Sequence, residues 1–274
     1  MGGRGSSYNR SILPPTPVMV AAVDDDDDQD DQQQIQAQSD GKPMSLSDFA
    51  NMTDDEMTDV YNKAQQAALP SNLYDSPTQR LIHYLGINDT MESATDSELR
   101  QAVKAGATAL YRTVNHNTQQ NLTSAQIADD HRSGAVFNIG GTGGTAYGGG
   151  LYFSDDFKGS KMYGRPYLGP VNTIAAVFNS KAKGITGYDL SLKATAFLKS
   201  HPKFAKAIGV DTSQTRMGGR TWLSNRESSL VAMAMGYNYT KHSVGGGENY
   251  YVILDRSIVS ASTTNFWDKR RGIK

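Results

Sequence analysis

The stretch GTAYGGGLYFSDDFKGSKMYGRPY, residues 144–167, mixes clustered glycines with recurring tyrosines, and its reading decides the fold. Leu151 to Ser154 is a short β-type run, since tyrosine and phenylalanine favour a half-buried pleated surface. The segment behind it, up to Tyr163 and Gly164, is compatible with a helix. Tyr152 then stands at one side of a strand–helix turn, and Tyr163 returns after eleven residues. Two aromatic faces brought back together suit a flat heterocycle, and a cationic ring would add cation–π attraction. Either tyrosine taken singly is only a good strand former.

Just upstream, Gly141-Thr-Gly143-Gly-Thr-Ala146 satisfies a G-x-G-x-x-A pattern after the strand-like AVFNI. A dinucleotide fingerprint requires a helix to begin there, because its first amides hold the pyrophosphate. Tyr147 and three further glycines follow instead, and each glycine costs about 1 kcal/mol in a helix interior. The doubly wound reading fails on that ground. A P-loop fails too, since no Gly-Lys-Ser/Thr follows. Gly148 to Gly150 shape a flexible approach to the strand.

Outward from this stretch, short β-type runs recur after Gly106: TALYRTV, GAVFNI, GLYFS, TIAAVF and NYYVILDRSIVSA. Helical segments such as SAQIADDHRSG separate them, which predicts an α+β domain and not alternating βαβ units. From Ser45 to Gly106 the pattern is helical. Thr53 with Glu56, Ser76 with Gln79 and Thr95 with Glu98 have capping-box spacing. Met57, Val60, Tyr61 and Ala64 share one helical face, while Pro70 and Gly86 close their helices. His83 falls among the apolar positions Leu81, Ile82 and Leu85 and reads as core.

The first residues hold GGRGSS, a Pro-Pro pair, Asp24 to Asp28 with Asp30 and Asp31, and a glutamine-rich run. Such a segment buries too little apolar area to offset its ordering entropy. The expected organisation is a disordered acidic tail over 1–44, a helical region over 45–105 and an α+β domain over 106–274. The tail is either a solubilising leader or an acidic docking arm for a basic partner.

The chain has no cysteine, which excludes thiolate metal sites, disulfides and a cysteine nucleophile. A formal net charge of −1 gives no global basic field for nucleic acid or a membrane surface. Without the aspartate run the remainder is mildly basic, which suits an anionic ligand. PVMVAAV is too short for a membrane span and lacks a cleavage pattern, so the chain reads as soluble and unprocessed.

Two charged residues stand out. Alternation puts Arg112 on one strand face with Leu110 and Val114, where its charge needs a carboxylate or an anionic ligand. Glu248 opens an apolar strand after three glycines, a position that fits a cleft or an ordinary strand end.

Taken in order, these pieces resemble the ADP-ribosyltransferase superfamily. GGGLYFSDDFKGSKMYG resembles the G-x-G-I-Y-F-A…S-x-x-Y segment of the poly(ADP-ribose) polymerase and diphtheria-toxin branch, with the same eleven-residue tyrosine spacing. LYRTV resembles the aromatic-Arg-Ser/Thr strand of the arginine-type branch, and NYYVILDRSIV the late strand that carries the catalytic glutamate. With RESSLVAMAMGYN between them and GGRGSS at the start, the chain is similar to transferase-like domains of bacteriophage head-associated, minor capsid-like proteins. The resemblance covers residues 106–262 and is most specific over 148–164.

The resemblance implies a split β-sandwich of two small antiparallel-type sheets with flanking helices. It implies NAD as substrate and ADP-ribose transfer to a protein acceptor, with release of nicotinamide, in the virion or the host cytoplasm. Phage capsid or head proteins would be partners through the acidic tail, with no metal involved. By position, Arg112, beside Thr113, would anchor the NAD phosphates or the adenine-side ribose. Tyr152 and Tyr163 would pack against nicotinamide. Ser154 stands near where the arginine branch has Ser-Thr-Ser, here Ser-Asp-Asp. Glu248 would bond the nicotinamide ribose and stabilise the developing positive charge. A strict overlay on the polymerase branch puts Tyr250 at the catalytic position, and the arginine branch has Glu-x-Glu where this chain has Glu248-Asn-Tyr250. Residues 248 and 250 share a strand face, and Glu227 is a second candidate carboxylate. The same resemblance admits a member that keeps the fold without turnover, or an NAD glycohydrolase with water as acceptor.

Overall fold

The computed structural model describes residues 44–70, 75–87, 90–115, 122–134, 149–163, 171–213, 215–216, 220–221 and 223–263. The acidic run and the 141–146 glycine pattern lie outside these residues, as does GAVFNI beyond Gly134.

Three helices come first: α1 (Leu46–Ala50), α2 (Asp54–Gln66) and α3 (Pro77–Tyr84). They are followed by β1 (Glu92–Ala94), α4 (Asp96–Lys104), β2 (Ala109–Asn115) and α5 (Ser124–Ser133). The tyrosine-rich stretch forms β3 (Leu151–Ser154) and α6 (Phe157–Tyr163), ahead of β4 (Val171–Phe178). Next are β5 (Gly184–Thr186), α7 (Gly187–Ser200) and α8 (Pro202–Ala207), then the short ribbon of β6 (Thr215–Arg216) and β7 (Arg220–Thr221). The last elements are α9 (Asn225–Ala234), β8 (Tyr239–Gly245), β9 (Glu248–Ile253) and β10 (Val259–Ser262).

Local chemistry starts the helices. Thr53 and Thr95 form reciprocal capping boxes with Glu56 and Glu98, as their spacing predicts. Ser76 caps α3 by accepting from the Gln79 amide at 3.1 Å. The Gln79 side chain does not return the bond, because positions 78, 79, 81 and 82 form the buried face of that helix. Ser224 and Glu227 form another box at the start of α9, so the Glu227 carboxylate serves as a helix cap.

Eight strands form one mixed sheet in the order β1-β10-β4-β2-β3-β9-β8-β5. The outer pairs β1/β10 and β5/β8 are parallel, and the interior pairs are antiparallel. Two separate antiparallel sheets were expected; hydrogen bonding instead makes the sheet continuous. The junction is narrow, however. β2 pairs with β4 from Ala109↔Val177 to Asn115↔Val171, but it meets β3 only at Tyr111↔Ser154. Two four-stranded halves thus join at one residue pair, with no further ladder pairing between β2 and β3.

Strand alternation distributes three apolar clusters. Leu110, Val114, Ile174, Leu151, Phe153 and Ile253 face Ile127 and Ala128 of α5. On the opposite face Tyr111, Ala175 and Val177 pack with Leu99 of α4, and Phe157 of α6 meets Tyr111 edge to face. Val252 and Leu254 join a larger cluster built from α1–α3 and α7–α9. The helices before Gly106 therefore share a core with later ones. Phe49 and Tyr61 both meet the Phe204 ring, with centroids 6.2 and 6.0 Å apart. Asp54 accepts from the Lys203 and Phe204 amides, each at 2.9 Å, and so caps α8 from the other end of the chain. His83 is half-buried at the margin of this core. No helix among the described residues is long and apolar enough to cross a membrane.

Candidate active site

β3 and β9 lie side by side, with Ser154 opposite Tyr250 and Tyr152 opposite Val252. Because side chains alternate, Ser154, Tyr250 and Glu248 stand on one face. The β8–β9 turn runs through Gly245, Gly246 and Gly247 at φ 97°, 62° and 84°, values that glycine adopts without steric cost. The register slips at this turn: Ser243 pairs with Asn249 but Gly245 pairs with Glu248, leaving Val244 as an extra residue on β8. A bulge of this kind re-aims the side chain beside it. Glu248 reaches diagonally past Tyr250, and Ser154 Oγ donates to its Oε1 at 2.6 Å.

The Ser-Asp-Asp triplet fixes that contact residue by residue. Ser154 Oγ accepts from the Asp156 amide at 2.9 Å and directs its proton to the carboxylate. Asp155 holds the strand end: its two oxygens accept from Asn249 N at 2.8 Å and Asn249 Nδ2 at 2.7 Å. The Tyr251 hydroxyl donates to the same carboxylate at 3.3 Å. Burial, reinforced by Asp155, pushes the Tyr251 phenol well above its ordinary range. Asp156 caps α6 by accepting from the Lys158 and Gly159 amides at 3.0 and 3.1 Å.

Arg112 stands at the lip of the split. By alternation it shares the α5 face with Leu110 and Val114, whereas Ser154 and Glu248 stand on the α6 face. Its guanidinium reaches across the split, where Nη1 donates to the Tyr152 carbonyl at 2.9 Å. Its Nε is enclosed with no acceptor, and no ion pair of Arg112 forms among the described residues. Burial and then the nearby Arg256 lower its pKa to about 9. Arg256 is itself fully buried, its Nη1 donating to the His131 carbonyl at 2.7 Å. His131 Nδ1 donates to the Ile127 carbonyl at 2.9 Å, which leaves Nε2 as a buried acceptor without a partner among the described residues. Burial, with Arg112 and Arg256 adding repulsion, holds that imidazole neutral.

Of the residues singled out in the sequence, the fold brings Ser154 to Glu248, and Arg112 to the Tyr152 backbone. The Thr113 hydroxyl is engaged with Ser160 Oγ at 3.0 Å and Thr173 Oγ1 at 2.9 Å, tying α6 to the sheet. The half-buried Tyr152 ring packs against the helical cluster. Tyr163 ends α6, and its side chain lies outside the described residues. Asp155 and Gly159 were missed. Their only signals were the acidic pair after Ser154 and a glycine inside a helix-compatible run. Among the described residues no cluster of potential ligands could hold a metal ion. No protein-family model, curated protein or solved structure matches the chain.

Proposed function

We propose that the protein is a mono-ADP-ribosyltransferase that consumes NAD and modifies a protein acceptor. The observation that carries this reading is the 2.6 Å bond from Ser154 to Glu248 beside the one-pair junction of β2 and β3. A carboxylate held by a short charge-assisted bond is oriented before substrate arrives. Such a group stabilises positive charge building on the ribose C1′ as nicotinamide departs. The bond from C1′ to the nicotinamide nitrogen breaks with its electron pair on the leaving ring. The acceptor side chain then bonds to C1′ and loses its proton. The remaining demand is positioning. In this reading Arg112, whose Nε finds no acceptor among the described residues, is the group that an anion such as a pyrophosphate would engage. Since Arg112 and Glu248 belong to opposite faces, a ligand touching both must run along the split, as an elongated dinucleotide can.

Incubation with NAD labelled in its adenylate half, together with a protein extract, tests the reading. Wild type labels a protein and releases nicotinamide, and Glu248→Gln lowers the rate about 10²- to 10³-fold, the usual effect of removing one preorganised electrostatic group. No label and no release, with Glu248→Gln indistinguishable from wild type, refutes it. Free ADP-ribose without labelled protein identifies water as the acceptor. A non-catalytic reading is favoured by one observation, that Tyr250 and not an acid stands directly opposite Ser154. NAD binding in calorimetry without any nicotinamide release would select it.

A further inference from the structure

The short helix α6 packs on the sheet face that bears Ser154 and Glu248, and at Gly159 it lies against the Glu248 carboxylate. An ideal β-carbon at Gly159 would overlap the Glu248 carboxylate, with Cδ 2.6 Å and Oε2 2.7 Å away. Glycine in a helix interior costs about 1 kcal/mol relative to alanine. The φ of Gly159 is not in the left-handed region, so backbone conformation does not require glycine here. The missing side chain serves the neighbour. With Ser154 Oγ on one side and Gly159 on the other, the carboxylate occupies a seat that Asp156 keeps in place by capping α6.

We infer that Gly159 is a positioning residue: its bare backbone admits the Glu248 carboxylate and holds it against Ser154, making Glu248 and not Tyr250 the working group of the β9 strand. The inference rests on the transferase reading for its catalytic consequence, but not for its geometry. Glu248 Oε1 is the far end of a flexible side chain, so a methyl at 159 displaces the carboxylate without displacing backbone. Activity and stability then separate. Loss of a merely structural glycine would lower both.

The test is Gly159→Ala in the full chain. The melting temperature is expected to stay level or rise, since alanine favours the helix. The crystal structure of the variant is expected to show the Ser154–Glu248 bond broken. kcat for nicotinamide release should fall at least about tenfold, a loss of about 1.4 kcal/mol of transition-state stabilisation, with KM for NAD within about twofold of wild type. A variant crystal structure in which Glu248 is still bonded to Ser154 overturns the inference. If Gly159→Ala melts lower than wild type, it is repeated in a Glu248→Ala background. The deficit must then vanish, and its persistence also overturns the inference. A wild type that releases no nicotinamide removes the transferase reading, while the crystal structures still decide the seat.

Discussion

Arg112→Met separates a residue kept for a ligand from one kept for the fold. Methionine preserves the apolar stem that packs beside Leu110 and Val114 and deletes the charge. The substitution removes the 2.9 Å bond to the Tyr152 carbonyl, and a bond from a charged donor is worth about 1.5–3 kcal/mol. Against this, the enclosed Nε has no acceptor among the described residues and the charge is opposed by Arg256. Removing a buried ion relieves a desolvation penalty of several kcal/mol, and hydrophobic replacement of buried charge is often neutral or stabilising. The terms are of similar size, so stability in urea should change by about 1 kcal/mol or less. NAD affinity should fall about 10- to 100-fold, the equivalent of one lost charge-assisted contact at 1.4 kcal/mol per decade. Urea unfolding gives the first quantity and titration calorimetry the second. A loss of stability beyond about 3 kcal/mol with unchanged NAD affinity would refute the reasoning and make Arg112 a brace of the split.

Phe204→Ala tests whether the N-terminal helices and the sheet unfold together. Phe204 is fully buried between Phe49 and Tyr61, so the cost should be about 3–5 kcal/mol. Amide exchange should accelerate in both α2 and β9, and acceleration in α2 alone would contradict the shared core. Acid should also weaken the fold above the range where carboxylates titrate. Burial lowers His242 to about 4, and burial with Arg112 and Arg256 lowers His131 well below 6.5. Both folded-state values lie below the unfolded value, so their stabilising contribution is complete above about pH 6.5. It is lost as pH falls from there toward 4, because the unfolded chain takes up protons that the folded chain refuses. Urea midpoints measured from pH 7.5 to 4.5 should decline, with a shallower slope in His242→Gln; a flat profile contradicts this.

Elements governed by local rules were legible. Thr53, Ser76 and Thr95 cap their helices, the 109–115 and 151–154 runs form strands, and Met57, Tyr61 and Ala64 are buried at their helical spacing. The short strands β1 and β5 escaped notice because three residues carry no periodicity, and a parallel partner far along the chain makes them strands. The packing of the helices before Gly106 against later ones was illegible for a similar reason. A break in pattern at Gly106 marks a change of element type, but whether Phe49 meets Phe204 depends on long-range packing.

The candidate site divides along the same line. Residue identity supplied Arg112 and Glu248 as chemistry-bearing groups, because a charge on an apolar strand face and a carboxylate at a strand mouth need partners; Ser154 came from the family resemblance. Only tertiary structure decided which partners they have. Strand order set Ser154 beside β9, strand alternation put Glu248 on the same face, and α6 laid Gly159 across the carboxylate. The Ser154–Glu248 and Gly159–Glu248 contacts join residues about ninety positions apart in the chain. Chain proximity cannot encode them, since they exist only when the sheet closes its register and the helix packs on it.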